Sequence, residues 1–241
     1  MEGTIGRGQR HIVAMGGGGF SMEPENPLLD RYVLGLARTP RPRVCFVPTA
    51  SGDAQTYIDR FYAAFSDHAC EATHLSLFKL PSADLRGFVL AQDVVYVGGG
   101  NTRSMLALWR EWGLDRVFRE AWEQGVVLAG LSAGSICWFE QGITDSVPGA
   151  LTMLPCLGLL PGSNCPHYDS EAERRPTYQR LVATGEVAPG YAADDGAGLH
   201  FVGTALARIV SSRPGARAYL LERVDGQARE TEIAPEYLKR L

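Results

Sequence analysis

Four short apolar runs, each closed by glycine or by proline and glycine, constrain this chain more than any other feature. His11–Met15 leads into Gly16-Gly17-Gly18-Gly19, and Val44–Val47 into Pro48-Thr49-Ala50-Ser51-Gly52. Val94–Val97 leads into Gly98-Gly99-Gly100-Asn101, and Val126–Ala129 into Gly130-Leu131-Ser132. A Val/Ile-rich run of strand length, without polar alternation, belongs to a strand buried on both faces. Between the runs lie helical patterns. From Asp53 to Ser66, apolar residues fall at Ala54, Tyr57, Ile58, Phe61, Tyr62 and Phe65, one face of a helix, with Asp53 suited to its N-cap. Thr102 to Trp112 and Asp115 to Gln124 read as two more helices, broken by Gly113 and ended by Gly125.

Strands alternating with helices predict a three-layer α/β fold, a mostly parallel sheet with helices on both faces. Residues 1–241 read as one domain, long enough to bury a sizeable core. In such a sheet, sites form in the loops at the carboxyl ends of the strands, so the glycine-rich loops should gather on one edge. The second half is less regular. Cys156 to Pro166 reads as loop, and Ser170 to Thr184 as a charged helix with Pro176 near its start. Leu199–Val202, Ala207–Val210 and Ala218–Leu221 read as closing strands.

A net charge of −4 provides no basic stripe for nucleic acid. The apolar run Ile12 to Met15 is too short for a signal segment, and no stretch approaches the ~18 apolar residues of a membrane span. A cytoplasmic protein without membrane or nucleic-acid partners is expected. The five cysteines, Cys45, Cys70, Cys137, Cys156 and Cys165, are odd in number and form no Cys-x-x-Cys pair, which argues against a disulfide framework or structural zinc. No metal and no cofactor are expected; oligomeric state, a homodimer included, is left open.

The strongest chemical signal is Val126 to Trp138, where an apolar strand runs through Gly130-x-Ser132-x-Gly134 into a helix. The glycines permit the sharp turn that presents a serine hydroxyl, and the helix would aim its first amides at the same spot. Ser132 is therefore the candidate nucleophile, and it needs a base. Of the five histidines, His11 and His200 sit in strand patterns, while His68 and His74 lie far from any glycine loop. His167, in Asn164-Cys165-Pro166-His167-Tyr168-Asp169, lies in an irregular loop and is the preferred base, with His200 second. Asp194-Asp195 offers the orienting carboxylate. Neighbouring side chains on an extended segment point to opposite sides, so only one of the two can face His167. The oxyanion donors expected are the amides of Ala133 and of Gly99 or Gly100. No Gly-Lys-Ser/Thr follows the second glycine run and the first lacks Gly-x-Gly-x-x-Gly spacing, so neither is a nucleotide loop of those kinds.

Tyr96-Val97-Gly98-Gly99-Gly100-Asn101-Thr102, then Gly130-Leu131-Ser132-Ala133-Gly134, then Pro166-His167-Tyr168 resembles the peptidase E family over roughly Val44 to Val202. These are aspartyl dipeptidases related to cyanophycinases and to the flavodoxin-like, class I glutamine amidotransferase fold. The resemblance implies a Ser–His–acid triad of Ser132, His167 and Asp195, with Asp195 where the family usually carries Glu. It also implies hydrolysis of short peptides with an N-terminal aspartate. Arg is the best partner for such a substrate carboxylate, and Asn101, Arg103, Arg174 and Arg175 are the candidates within reach. Arg174 and Arg175 read equally well as solvated helix charges paired with Glu171 and Glu173. A cyanophycinase-like or broader peptidase, or a non-catalytic small-molecule binding protein on the same scaffold, are the alternatives. An α/β-hydrolase esterase would need the order Ser132, Asp195, His200, whose last two members are too close for separate loops.

Overall fold

The computed structural model describes residues 9–79 and 83–239. The first three glycine-terminated runs are strands β1 (His11–Met15), β2 (Arg43–Val47) and, after β3 (Glu71–His74), β4 (Val94–Val97); the fourth is β5 (Val127–Leu131). They pair in parallel in the order β1-β5-β4-β2-β3. Their side chains alternate between two cores, which is why both parities are apolar. Ile12, Ala14, Val95, Val97 and Leu128 enter one cluster; Val13, Met15, Val94, Tyr96, Val127 and Ala129 enter the other.

Helices α1 (Gly19–Met22), α2 (Leu28–Gly35) and α3 (Gln55–Phe65) belong to the second face, where Phe20, Leu29, Val33, Phe61 and Phe65 pack. Helices α4 (Leu85–Leu90), α5 (Thr102–Trp112) and α6 (Leu114–Glu123) supply Val89, Met105, Trp109 and Phe118 to the first. Asp53 does not cap α3; Ala54 does, and Asp53 takes φ 55°. Its Oδ2 instead accepts the Ser76 hydroxyl and the amides of Leu77 and Phe78, an offer from the β3–α4 loop that is absent from local sequence.

After β5 comes α7 (Ala133–Ile136), a single turn, because the chain enters β6 (Phe139–Thr144) at once. There the expected single sheet divides. A second, six-stranded sheet runs β13-β12-β9-β8-β6-β7, made of β6, β7 (Thr152–Pro155), β8 (Leu160–Cys165), β9 (Gly190–Ala193), β12 (Ala218–Val224) and β13 (Gln227–Ile233). The stretch read as loop, Cys156 to Pro166, thus contains a strand. Its Gly162 and Pro161 hide the pattern, while Ser163, Asn164 and Cys165 are fully buried.

The remaining strands, β10 (Ala197–Val202), β11 (Ala205–Ser211) and β14 (Glu236–Tyr237), extend the first sheet beyond β1, with β10 antiparallel to β1. Of the three expected closing strands, two join this sheet and Ala218–Leu221 joins the other. Helix α8 (Arg174–Thr184) covers the second sheet through Tyr178, Leu181 and Val182, with Pro176 in its first turn, where its missing N–H costs nothing. No helix among the described residues is long and apolar enough to cross a membrane.

Candidate active site

Three strand ends meet where the two sheets join. Ser132 follows β5 of the first sheet. His167 follows β8 of the second. Asp195 lies in the three-residue link by which the chain leaves β9 and crosses to β10. The Gly16–Gly19 loop after β1 ties them together: Met15 O accepts the Ser132 amide at 3.2 Å, and Gly16 O accepts the His167 amide at 3.3 Å. Gly17 forms a bridge with Asp195 and accepts the Gly196 amide. A Cβ on Gly16 would lie 2.3 Å from the carbonyl oxygens of Ala193 and Asp194, and one on Gly17 would lie 2.1 Å from Asp195 Oδ1. The first glycine run therefore serves as the floor on which the acid rests, a close approach that only glycine allows.

Ser132 occupies φ 56°, ψ −116°, a conformation costly for an L residue and held by its surroundings. Its glycines are needed for approach: a Cβ on Gly130 would be 2.4 Å from Gly134 O, and one on Gly134 would be 2.2 Å from Val97 O. With only four residues in α7, favourable charge at the elbow comes from its free first amides rather than from a long helix dipole.

His167 also has positive φ, 54°, and its Nδ1 lies 2.7 Å from Asp195 Oδ1. Both side chains are nearly buried. Burial opposes the Asp195 charge, but hydrogen bonds from His167 and Ser170 and the charges of His167 and Arg213 outweigh it and hold its pKa below the usual carboxylate range. Nδ1 is thereby the protonated nitrogen, which leaves Nε2 as the acceptor. Asp194 points away: its Oδ2 accepts the Arg217 amide, and burial, then the Asp169 charge, raise its pKa to about 6. The Ser132 hydroxyl makes no hydrogen bond among the described residues, so one of the two links of a relay is closed here and the other is open.

His200, the runner-up for base, belongs to the core. It is fully buried in β10, with Nε2 3.0 Å from His11 Nδ1 and Nδ1 2.6 Å from the Tyr32 hydroxyl. Burial, then the charges of His11 and Arg208, lower its pKa to about 4.

Ser132 opens onto a cleft of about 290 Å³ lined by Gly100, Asn101, Asp145, Ser146, Glu171 and Arg174. Two larger hollows, about 550 and 410 Å³, lie around Arg31 and His68 beside α2 and α3, and neither includes Ser132, His167 or Asp195. Of the expected oxyanion donors, Gly99 gives its amide to the Tyr57 hydroxyl at 3.2 Å, an acceptor from α3 that sequence could not foresee. The amides of Gly100 and Ala133 have no partner among the described residues. Asn101 caps α5 by accepting the Ser104 amide.

Arg103 is exposed and does not line the cleft, and Arg175 pairs with Glu230 while lying over the Tyr168 and Tyr219 rings. Arg174 is no solvated charge: its side chain is 4% exposed, and it donates to Glu171 Oε2 at 2.7 Å and Ile143 O at 2.8 Å. Its Nη2 stands 3.9 Å from Asp145, which is largely exposed. Asp145 and Ser146 are not foreseen in the sequence, where they are marked only as an Asp-Ser pair, while Glu171, read there as a partner of Arg174, is that partner and also lines the cleft. No cluster of metal-binding side chains occurs among the described residues.

The model of Peptidase family S51 matches residues 12–209. The uncharacterized peptidase YgaJ of Bacillus subtilis (strain 168) is 57% identical over 229 residues, 95% of this chain and 99% of that protein. Two solved structures share the fold at 16% identity. One is a peptidase from an acI-B1 actinobacterium, with TM-score 0.66 over 95% of this chain and 96% of the other. The other is a putative peptidase E protein from Listeria monocytogenes EGD-e, with TM-score 0.58 over 94% and 100%.

Proposed function

Since the chain belongs to peptidase family S51 and is a peptidase, we propose that it is a serine exopeptidase that removes an N-terminal aspartate from short peptides. The carrying observation is the His167–Asp195 pair at 2.7 Å, anchored through the Met15–Gly16 backbone to the strained Ser132. Ser132 Oγ attacks the scissile carbonyl while His167 Nε2 takes its proton, and the Asp195 carboxylate stabilises the imidazolium that forms. The Ser–His contact closes when substrate orders the hydroxyl, since such bonds are commonly loose without it. The Ala133 and Gly100 amides receive the developing oxyanion. The imidazolium protonates the departing amine, and water then hydrolyses the acyl-enzyme by the same relay.

Arg174 supports the acidic preference as the one cation lining the cleft among the described residues. Two of its three donor groups are held by Glu171 and Ile143, and the third lies 3.9 Å from the largely exposed Asp145. A substrate β-carboxylate takes that third group by displacing Asp145, which is then free to meet the α-ammonium. The zwitterionic end of an aspartyl peptide thus exchanges partners with an existing ion pair, so neither charge is left buried and alone.

Two measurements test the reading. A fluorophosphonate probe should label Ser132. A panel of Asp-X, Glu-X, Asn-X and Leu-X dipeptides should rank Asp-X first by kcat/KM; equal turnover of Leu-X would remove the acidic specificity and leave the serine mechanism standing.

A further inference from the structure

We propose that Asp169 is a positioning residue that, with Arg213, grips the main chain of Asp195 at both ends and so fixes its carboxylate on His167; this rests on the triad reading above. Asp169 stands two residues after His167, on the same loop, and its Oδ1 accepts the Asp195 amide at 2.8 Å. Arg213, just beyond β11, donates through Nη2 to the Asp195 carbonyl. The same guanidinium lies 3.5 Å from Asp169 Oδ2, which closes the grip, and its Nε lies 3.4 Å from Glu23 Oε1. Glu23 is in turn held by the Ser212 hydroxyl.

The arrangement is reciprocal. The histidine loop sends a carboxylate to the acid's backbone, while the acid sends its carboxylate to the histidine ring. Asp195 lies in a link of three residues between two sheets, with neither strand's ladder to hold its own N–H and C=O. Gly17 holds the neighbouring Gly196 amide, but nothing in that bridge engages the Asp195 N–H and C=O themselves, and Gly196 at φ 79° is a flexible neighbour. The pair Asp169–Arg213 supplies both partners, so base and acid are carried as one body although they arise from different strands.

Among the described residues, the charged groups set against the His167–Asp195 pair are Asp169, on the Asp195 amide, and Arg213, with Glu23 behind the arginine; Asp194 is turned to the Arg217 amide. Asp169→Asn keeps the Oδ1 acceptor and removes the charge; Asp169→Ala removes both. A displaced Asp195 carboxylate no longer takes the His167 Nδ1–H hydrogen bond, so the downfield proton signal of that N–H moves upfield. That signal is read by NMR in the free protein and needs no turnover, so it tests the clamp even if the peptidase specificity is wrong. Asp195→Asn sets the full shift.

Asp169→Ala is expected to show at least half of that shift and Asp169→Asn less than half. With an Asp-X dipeptide, Asp169→Ala should lower kcat by about 10–100-fold, the scale of an ångström-size misplacement, with little change in KM. Asp169→Asn should restore most of the rate. If Asp169→Ala fails to fold, Arg213→Gln is measured for the same signal and rate, with the same expectation as Asp169→Ala. A signal shift under half of the reference in the alanine variant, or an asparagine variant as impaired as the alanine one, overturns the proposal.

Discussion

A methyl group on Gly134 would sit 2.2 Å from the carbonyl oxygen of Val97 and 2.8 Å from that residue's Cβ. Ordinary contact begins near 3.4 Å, so Gly134→Ala demands about 1 Å of movement. Val97 cannot supply it, because β4 is fixed between β2 and β5 in the middle of the first sheet. The turn α7 must retreat instead, and it carries the Ala133 amide and adjoins Ser132. Overpacking of this kind costs about 1–3 kcal/mol, within the ~5–15 kcal/mol stability of a domain, so the variant should fold. Moving a nucleophile by such a distance costs about 10²-fold in rate. The assay is kcat with an Asp-X dipeptide beside a urea melt, with Gly35→Ala as control. Gly35 ends α2 and nothing among the described residues lies within 4 Å of its added methyl, so this variant should keep full activity and gain up to about 0.5–1 kcal/mol. A Gly134→Ala protein with unchanged melt and kcat within threefold of wild type would refute the reasoning that Val97 sets the elbow.

Ser132→Ala should lower turnover by about 10³-fold or more with folding intact, and near-wild-type rates would remove the nucleophile assignment. His200 stays neutral in the fold to about pH 4 but charges near 6.5 when unfolded, so its contribution is complete above pH 6.5 and is lost as pH falls toward 4, about 3 kcal/mol in all. Asp30, raised to about 7, and Asp194, raised to about 6, gain stability over the same fall, so the His200 share is read as the difference between urea-melt profiles of wild type and His200→Gln at pH 7 and 4.5; parallel profiles would contradict it. Exhaustive chelation should leave peptidase activity unchanged, and loss restored by zinc would show a metal requirement.

What the chain's local chemistry determined was the parallel middle of the first sheet and the elbow that carries Ser132. Strands β1, β2, β4 and β5 were legible because a strand buried on both faces must be apolar at every position, and the turns after them because glycine is what tight approach requires. Ser132 followed from the same local grammar, while His167 was marked by its irregular loop and the Asp194-Asp195 pair by its place just before a strand. Tertiary structure decided what depends on distant partners. Residues 156–166 hold a strand because β6 and β9 flank it, despite Pro161 and Gly162. Asp53 serves the β3–α4 loop rather than α3, and Gly99 spends its amide on Tyr57. Arg174 is buried against Glu171 and Ile143, while its neighbour Arg175 turns to Glu230. The same limit applies to Asp195: its residue type could be read from the chain, but its place on His167 comes from a floor of glycines 178 positions earlier and an arginine 18 positions later, which come together only when two sheets are joined.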